Sequence, residues 1–287
     1  MVTAKTIDTL VEDIYNIFEC DKEVRVKEED VNELVKGIVD AVTSSLKERE
    51  RPRGNLRLSL IGHPDRKIWY TVRDGDKLGK EKLKGQDKIK FLYGDILECL
   101  LIFLSRTAGH KVTDEQKTVS VKGVVGHQDA VVDDVLIDFK SASSYGFKKF
   151  KEKTIHSDDP FGYIAQISAY AKANNLDKAG FVAIDKSSGE ICYCPVHSME
   201  MINAEKRIES LKRTVKSDVP PPRCYSDIPD GKSGNYKLHI GCVYCSYKHN
   251  CWSDSNGGQG LKKFNYSTGP RYLTRIGRMP DVEEIYD

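Results

Sequence analysis

Asp138 stands between Ile137 and Phe139 near the end of an otherwise apolar run, Val135-Leu-Ile-Asp-Phe-Lys140. A carboxylate in that setting is costly unless it is paired or holds a cation. Residues two apart on a strand share a face, so Lys140 points to the same side as Asp138. Asp129, in Gly126-His-Gln-Asp-Ala130, comes from the preceding strand, and a hairpin through Asp133-Asp134 would bring the two strands together. A third acid, Glu98, lies in the apolar helical stretch Phe91-Leu-Tyr-Gly-Asp-Ile-Leu-Glu-Cys-Leu-Leu101, with Gly94 four residues earlier removing bulk from the same face. A Glu so placed is either a boundary residue with partial exposure or a ligand. Gln166-Ile-Ser-Ala-Tyr170 puts an amide and a phenol on adjacent turns of one helix face, which a surface Gln beside a core Tyr would also explain. Hard oxygen ligands of this kind suit magnesium or manganese. Such an ion lowers the pKa of a bound water and polarises a phosphodiester. Lys140 would hold the attacking water and offset charge growing on the phosphate oxygens. The chemistry expected is phosphodiester hydrolysis.

A second group is made of thiols. Cys242-Val-Tyr-Cys245 followed by Cys251 spells C-x2-C-x5-C, with Tyr244, Tyr247 and Trp252 interleaved. Two thiols three residues apart can grip one metal from a single turn, and zinc or an iron–sulfur cluster would accept them. The chain has eight cysteines, which an intracellular protein of this length does not need as disulfides. Cys20 and Cys99 read as small buried hydrophobes on helices, and Cys192 and Cys194 as core residues on one face of a strand.

These residues need elements to position them. Apolar positions at helical spacing predict helices over residues 6–20 and 28–48, closed by the breaker Arg51-Pro-Arg-Gly54. Residues 55–85 mix a short apolar stretch with a Gly- and Lys-rich loop, and 87–108 form the most apolar helix. Strands are predicted at 118–125, 129–132 and 135–139, a helix at about 160–174, strands at 180–185 and 190–196, and a helix at 199–216. Pro220-Pro-Pro222 then opens an irregular tail. The order implies an α/β or α+β core between a helical cap and a metal-tied lobe. Across 287 residues, Lys plus Arg number 45 against 43 acids, so nucleic-acid binding must come from local patches. No apolar run reaches the ~20 residues of a membrane helix, and the start has no signal-peptide core. A soluble, cytoplasmic protein is expected.

With these motifs in place, the chain resembles the PD-(D/E)xK nucleases, within them the RecB-like and lambda-exonuclease-like branch. The matching order is Gly94…Glu98, Gly126-His-Gln-Asp129, Asp138-Phe-Lys140 and Gln166…Tyr170, over about 75 residues. Lys140-Ser-Ala-Ser143 and Asp159-Pro-Phe-Gly-Tyr163 look like a phage-encoded exonuclease of this type. The resemblance covers roughly residues 55 to 280. It implies a restriction-endonuclease-like core with a central mixed sheet flanked by helices. It further implies Glu98, Asp129, Asp138 and the backbone carbonyl of Phe139 as metal ligands, Lys140 as the catalytic lysine, and Gln166 and Tyr170 beside them. Many RecB-like enzymes carry a His on the first helix where this chain offers Glu98, and His127 is at most an outer neighbour of the site.

For the tail the resemblance leans to iron–sulfur, with a structural role. The fourth Cys of those relatives lies near an Arg-and-Trp/Tyr segment; here that segment is Gly62-His-Pro-Asp-Arg-Lys-Ile-Trp-Tyr70, with Asp65 where the thiol is expected. Cys224 is therefore taken as the fourth ligand, Asp65 or His63 being alternatives, and His249 would favour zinc. The domains expected are a cap over 1–54, a nuclease core over 55–217 and a cysteine lobe over 218–287. The activity implied is a metal-dependent DNA exonuclease of phage-type recombination or DNA degradation, with a recombination or single-strand-annealing protein as a partner and, for a phage gene, the host cytoplasm as its place. A nicking or structure-specific endonuclease and a non-catalytic DNA-binding adaptor are the alternatives. Lys148, Lys149, Lys151, Lys262 and Lys263 read as solvated faces, or in a nuclease as DNA-backbone contacts. Asp230-Gly-Lys-Ser-Gly234 lacks the earlier Gly of a phosphate-binding loop and reads as a plain loop.

Overall fold

The structure, a computed structural model, describes residues 5–21, 23–47, 54–73 and 84–286. The breaker at 51–54 lies almost wholly outside them. In chain order the helices are α1 (Leu10–Glu19), α2 (Glu28–Leu46), α3 (Asp65–Arg73), α4 (Gly85–Thr107), α5 (Ser144–Lys151), α6 (Tyr163–Asn174), α7 (Ala204–Thr214), α8 (Ile240–Val243) and α9 (Lys248–Cys251). Strands β1 (Val112–Thr113), β2 (Thr118–Val121), β3 (Val124–His127), β4 (Ala130–Val132) and β5 (Val135–Ala142) follow α4. Strands β6 (Ala179–Asp185) and β7 (Ile191–Val196) follow α6. The tail adds β8 (Ile228–Pro229), β9 (Tyr236–Lys237), β10 (Lys262–Tyr266), β11 (Gly269–Arg275) and β12 (Glu284–Ile285).

The chain divides into two compact units: Met1–Gly62 with Lys82–Lys212, and His63–Glu81 with Arg213–Asp287. The three-part division read from the sequence differs from this over residues 63–81 and over the N-terminal helices. Among the described residues no helix is long and apolar enough to cross a membrane.

The first unit is mixed α/β, with a central mixed sheet flanked by helices. Its strand order is β1-β4-β5-β6-β7, in which only β5 and β6 run parallel. Ile137 and Phe139 of β5 join Ala130, Val132 and Val182 in a core with Leu10 and Ile14 of α1 and Leu101 and Leu104 of α4. Alternation then places Asp138 and Lys140 on the opposite face, where α6 packs. Asp133 and Asp134 turn the β4–β5 hairpin with φ of 48° and 64°, the pair of left-handed residues that a tight two-residue connection demands. Asp133 also accepts hydrogen bonds from Lys111 N (3.1 Å) and holds His110 Nδ1 at 2.6 Å, while His110 Nε2 lies 3.2 Å from Asp13 of α1. A buried imidazole thus ties the hairpin turn to the first helix. The strand predicted at 118–125 is instead a hairpin, β2 and β3, turned by Lys122-Gly123 with φ of 49° and 74°. Cys20, expected to be buried, is exposed, because it caps the end of α1 rather than lying on its apolar stripe.

The second unit contains an antiparallel sheet of order β12-β10-β11-β9-β8 and a small core of Leu238, Cys242, Trp252 and Tyr272. Helix α3 belongs to this unit. Trp69 Nε1 donates to Ser217 O at 2.8 Å, and Tyr70 stacks on Tyr247 with ring centroids 5.5 Å apart.

Candidate active site

Asp138 is 3% exposed, and its Oδ2 forms an ion pair with Lys140 Nζ. The other oxygen, Oδ1, receives Gln166 Nε2 at 3.4 Å. Asp129, just before β4, is drawn to β5 by a hydrogen bond from Phe139 N to its Oδ2 at 2.8 Å. Glu98 of α4 accepts from Gln116 Nε2. Gly94, one turn earlier, faces β5, since a Cβ there would lie 3.4 Å from Ser141 Oγ. Tyr170 of α6 is buried and bonds to Gln166 one turn before it. Gly126 makes room for it: a Cβ at that position would meet Tyr170 Cε1 at 2.7 Å and Leu58 Cβ at 2.8 Å. Helix α6 starts where Asp159 accepts the amides of Tyr163 (2.9 Å) and Ile164 (2.8 Å), satisfying two of its first-turn donors.

The charges act on one another. Burial pushes the Glu98 carboxyl up to about 7, with Asp138 adding to the rise and Lys140 opposing it. Burial likewise raises Asp129 well above the carboxylate range, and the charges of Asp138 and Glu98 raise it further. For Lys140 burial works against the charge, but Asp138 and Asp129 overcome it and hold the ammonium above its ordinary value. The Tyr170 phenol is held up by burial and by Asp138. Three carboxylates and one ammonium therefore share one electrostatic neighbourhood.

Two residues given no role in the sequence reading join them. Tyr163 lies under Lys140, whose Nζ is 5.0 Å from the ring centroid. Gln116 reaches Glu98 from a loop where its own φ is 48°. His127 is exposed and bonds across its hairpin to Thr118 at 3.1 Å. Lys148, Lys149 and Lys151 each pair with an acid, Glu152, Asp158 and Glu190 respectively.

In the second unit the tail thiols also sense one another. Burial pushes the Cys242 thiol up to about 11, with added repulsion from Cys251, Cys245 and Cys224. Helix α3 brings two cations to them. Arg66 Nε donates to Cys251 Sγ at 3.1 Å; burial lowers the pKa of Lys67, with Cys245 and Cys224 opposing it, and its Nζ lies 3.4 Å from His63 Nδ1. Asp65 opens this helix, and His249 packs edge-on to Tyr272 at 5.9 Å.

Among the described residues, no three His, Cys, Asp or Glu side chains are arranged to hold a metal ion. In the first unit Glu98, Asp129 and Asp138 each give one oxygen to a protein donor, Gln116, the Phe139 amide and Gln166. The donor chemistry nonetheless suits a hard divalent cation. All donors are oxygens, and two carboxyls resist their charge because of burial, with the other acids adding to it, so a cation would relieve both.

No family model matches the chain, and no curated protein matches its sequence. Solved structures do show likeness. SSO0001 is 14% identical, with a TM-score of 0.40 over 77% of this chain and 95% of that one. A phage-related exonuclease from Haemophilus somnus 129PT is 19% identical, with a TM-score of 0.37 over 57% of this chain and 92% of that one. The alkaline exonuclease LHK-Exo of Laribacter hongkongensis is 14% identical, with a TM-score of 0.38 over 62% and 94%. At this distance the chemistry has to be read from the residues of this chain.

Proposed function

We propose that the protein is a metal-dependent deoxyribonuclease that hydrolyses phosphodiester bonds at DNA ends, as in phage-type recombination or DNA degradation. One observation carries the reading: Asp129 and Asp138, on either side of the β4–β5 hairpin, share a neighbourhood with Glu98 of α4, where Asp138 pairs with the Lys140 ammonium and Asp129 accepts the Phe139 amide between them. Glu98, Asp129, Asp138 and the Phe139 carbonyl would hold magnesium or manganese. Bound there, such an ion supplies an activated water and polarises the phosphate. Lys140 stays protonated and places its charge where negative charge grows on phosphate oxygens. Gln166 keeps Asp138 oriented, and Tyr170, held neutral, fixes Gln166.

Cys224, Cys242, Cys245 and Cys251 would hold a structural thiolate-bound group, an iron–sulfur cluster or, in its place, zinc. Visible absorbance of anaerobically purified protein supports the cluster; a colourless protein with one bound zinc supports the alternative.

The deciding assay uses linear and closed circular DNA with and without manganese, on the wild type, Asp138→Ala and Lys140→Ala. The expected outcome is loss of linear DNA only, in the wild type alone. Nicked circles would indicate an endonuclease, no cleavage of either form a DNA-binding adaptor, and full activity in both variants a different site.

A further inference from the structure

The second unit contains a cavity of about 830 Å³ walled by residues between Arg223 and Met279, none of them a carboxylate of the candidate active site or one of the tail thiols. That volume lies within the range of ligand clefts. Three cations line it: Arg223, Lys262 and Arg275. The Arg223 guanidinium lies 4.0 Å from the Trp252 ring centroid, donates from Nε to Cys251 O at 3.1 Å and pairs with Asp254. The Arg275 guanidinium lies 3.6 Å from the Tyr236 ring centroid and donates from Nε to Asp227 Oδ2 at 3.2 Å. Asp227 is itself fixed by Thr274 Oγ1 at 2.8 Å. Each guanidinium is thus pinned to a ring by one acid and retains further N–H donors.

Lys262 differs from both. It is half-buried and has no carboxylate partner among the described residues. Its neighbour Lys263 lies 5.3 Å over the Tyr272 ring instead, so the pair of lysines divides between two environments. Gly257, with φ of 69°, forms a stretch of wall with no side chain and open space beyond it.

A small compact anion would not use this arrangement, because the arginines are held in plane and alternate with acids. A chain that alternates charged and planar neutral groups does. We infer that this cavity binds a single-stranded stretch of nucleic acid. Phosphates meet Lys262 and the remaining N–H groups of Arg223 and Arg275, and bases lie against the guanidinium–ring pairs. The inference rests on the nuclease reading only for the choice of nucleic acid as the ligand.

The test is fluorescence anisotropy of a labelled oligothymidylate with the full-length protein, over a series of salt concentrations, without magnesium or manganese. Lys262→Glu and Gln259→Glu, the latter at an exposed residue of the cavity wall, should each weaken binding about tenfold or more at unchanged Tm. Lys262→Gln should reduce the logarithmic salt slope by about 0.7, the value of one phosphate contact on a single strand. Lys232→Glu, the same charge change at an exposed site off the cavity, should bind as wild type. Wild-type affinity in both cavity variants, or equal displacement by polyglutamate, overturns the inference. DNA cleavage with unaltered binding in the cavity variants removes this site alone; the expected binding losses without any cleavage remove the nuclease reading alone.

Discussion

Asp129 accepts the Phe139 amide and yet resists its own charge, since burial and the neighbouring acids raise its pKa. Above that raised value the native state carries a charge it disfavours; as pH falls below it the penalty shrinks, and it is gone only below the ordinary carboxylate range. Asp129→Asn keeps an acceptor for Phe139 and removes the charge. It should abolish hydrolysis while stabilising the metal-free protein by about 1–2 kcal/mol in mildly alkaline buffer, with the gain fading in acid. Denaturant titrations at both ends of the pH range read this directly, and a loss of stability in alkali contradicts it. Glu98, poised at about 7, makes a second case. A proton there competes with a cation, so manganese affinity measured by calorimetry should fall about tenfold per unit of pH below about 7. Glu98→Gln should weaken that dependence and leave the part carried by Asp129. Asp138 and Lys140 were legible because strand alternation and an acid in an apolar run are local signals. Gln116 and Tyr163 were not, since only tertiary packing brings a loop amide to Glu98 or a ring beneath Lys140.

At the scale of elements, the β2–β3 hairpin meets α6 through the absence of a side chain at Gly126. Gly126→Ala forces a methyl against Tyr170 and Leu58 and should cost about 1–3 kcal/mol, the usual range for overpacking. Tyr170→Phe should not relieve it, because the nearest atom is a ring carbon; a Tm equal to wild type in Gly126→Ala would refute the contact. Helices α4 and α6 and strands β6 and β7 follow from periodicity and run close to their expected limits, whereas β5 continues to Ala142, α7 starts only at Ala204, and α5, which packs on β5, β6 and β7, was not expected. The split of 118–125 into two strands was missed because Lys122, a residue with ordinary preferences, takes a left-handed φ beside Gly123. In the tail sheet β8, β9 and β12 are two residues long and show no alternation, while β10 and β11, of five and seven residues, are rich in charge and carry few apolar positions.

At the scale of the molecule, each unit has its own apolar core. Calorimetry should therefore resolve two thermal transitions. Asp129→Asn should move one and Cys245→Ser, which removes a thiol packed in the second unit, should lower the other. Both variants shifting a single transition would refute separate cores. The assignment of α3 to the second unit was missed by the three-part division, although the resemblance had linked the segment Gly62–Tyr70 to the tail thiols.

That assignment bears on how the protein is made. Helix α3 leaves the ribosome about 150 to 180 residues ahead of the tail residues Ser217 and Tyr247 on which Trp69 and Tyr70 rest. At ordinary translation rates it waits on the order of ten seconds for its partner. During that interval two aromatic rings lack their final neighbours, which makes the nascent chain a client for chaperones.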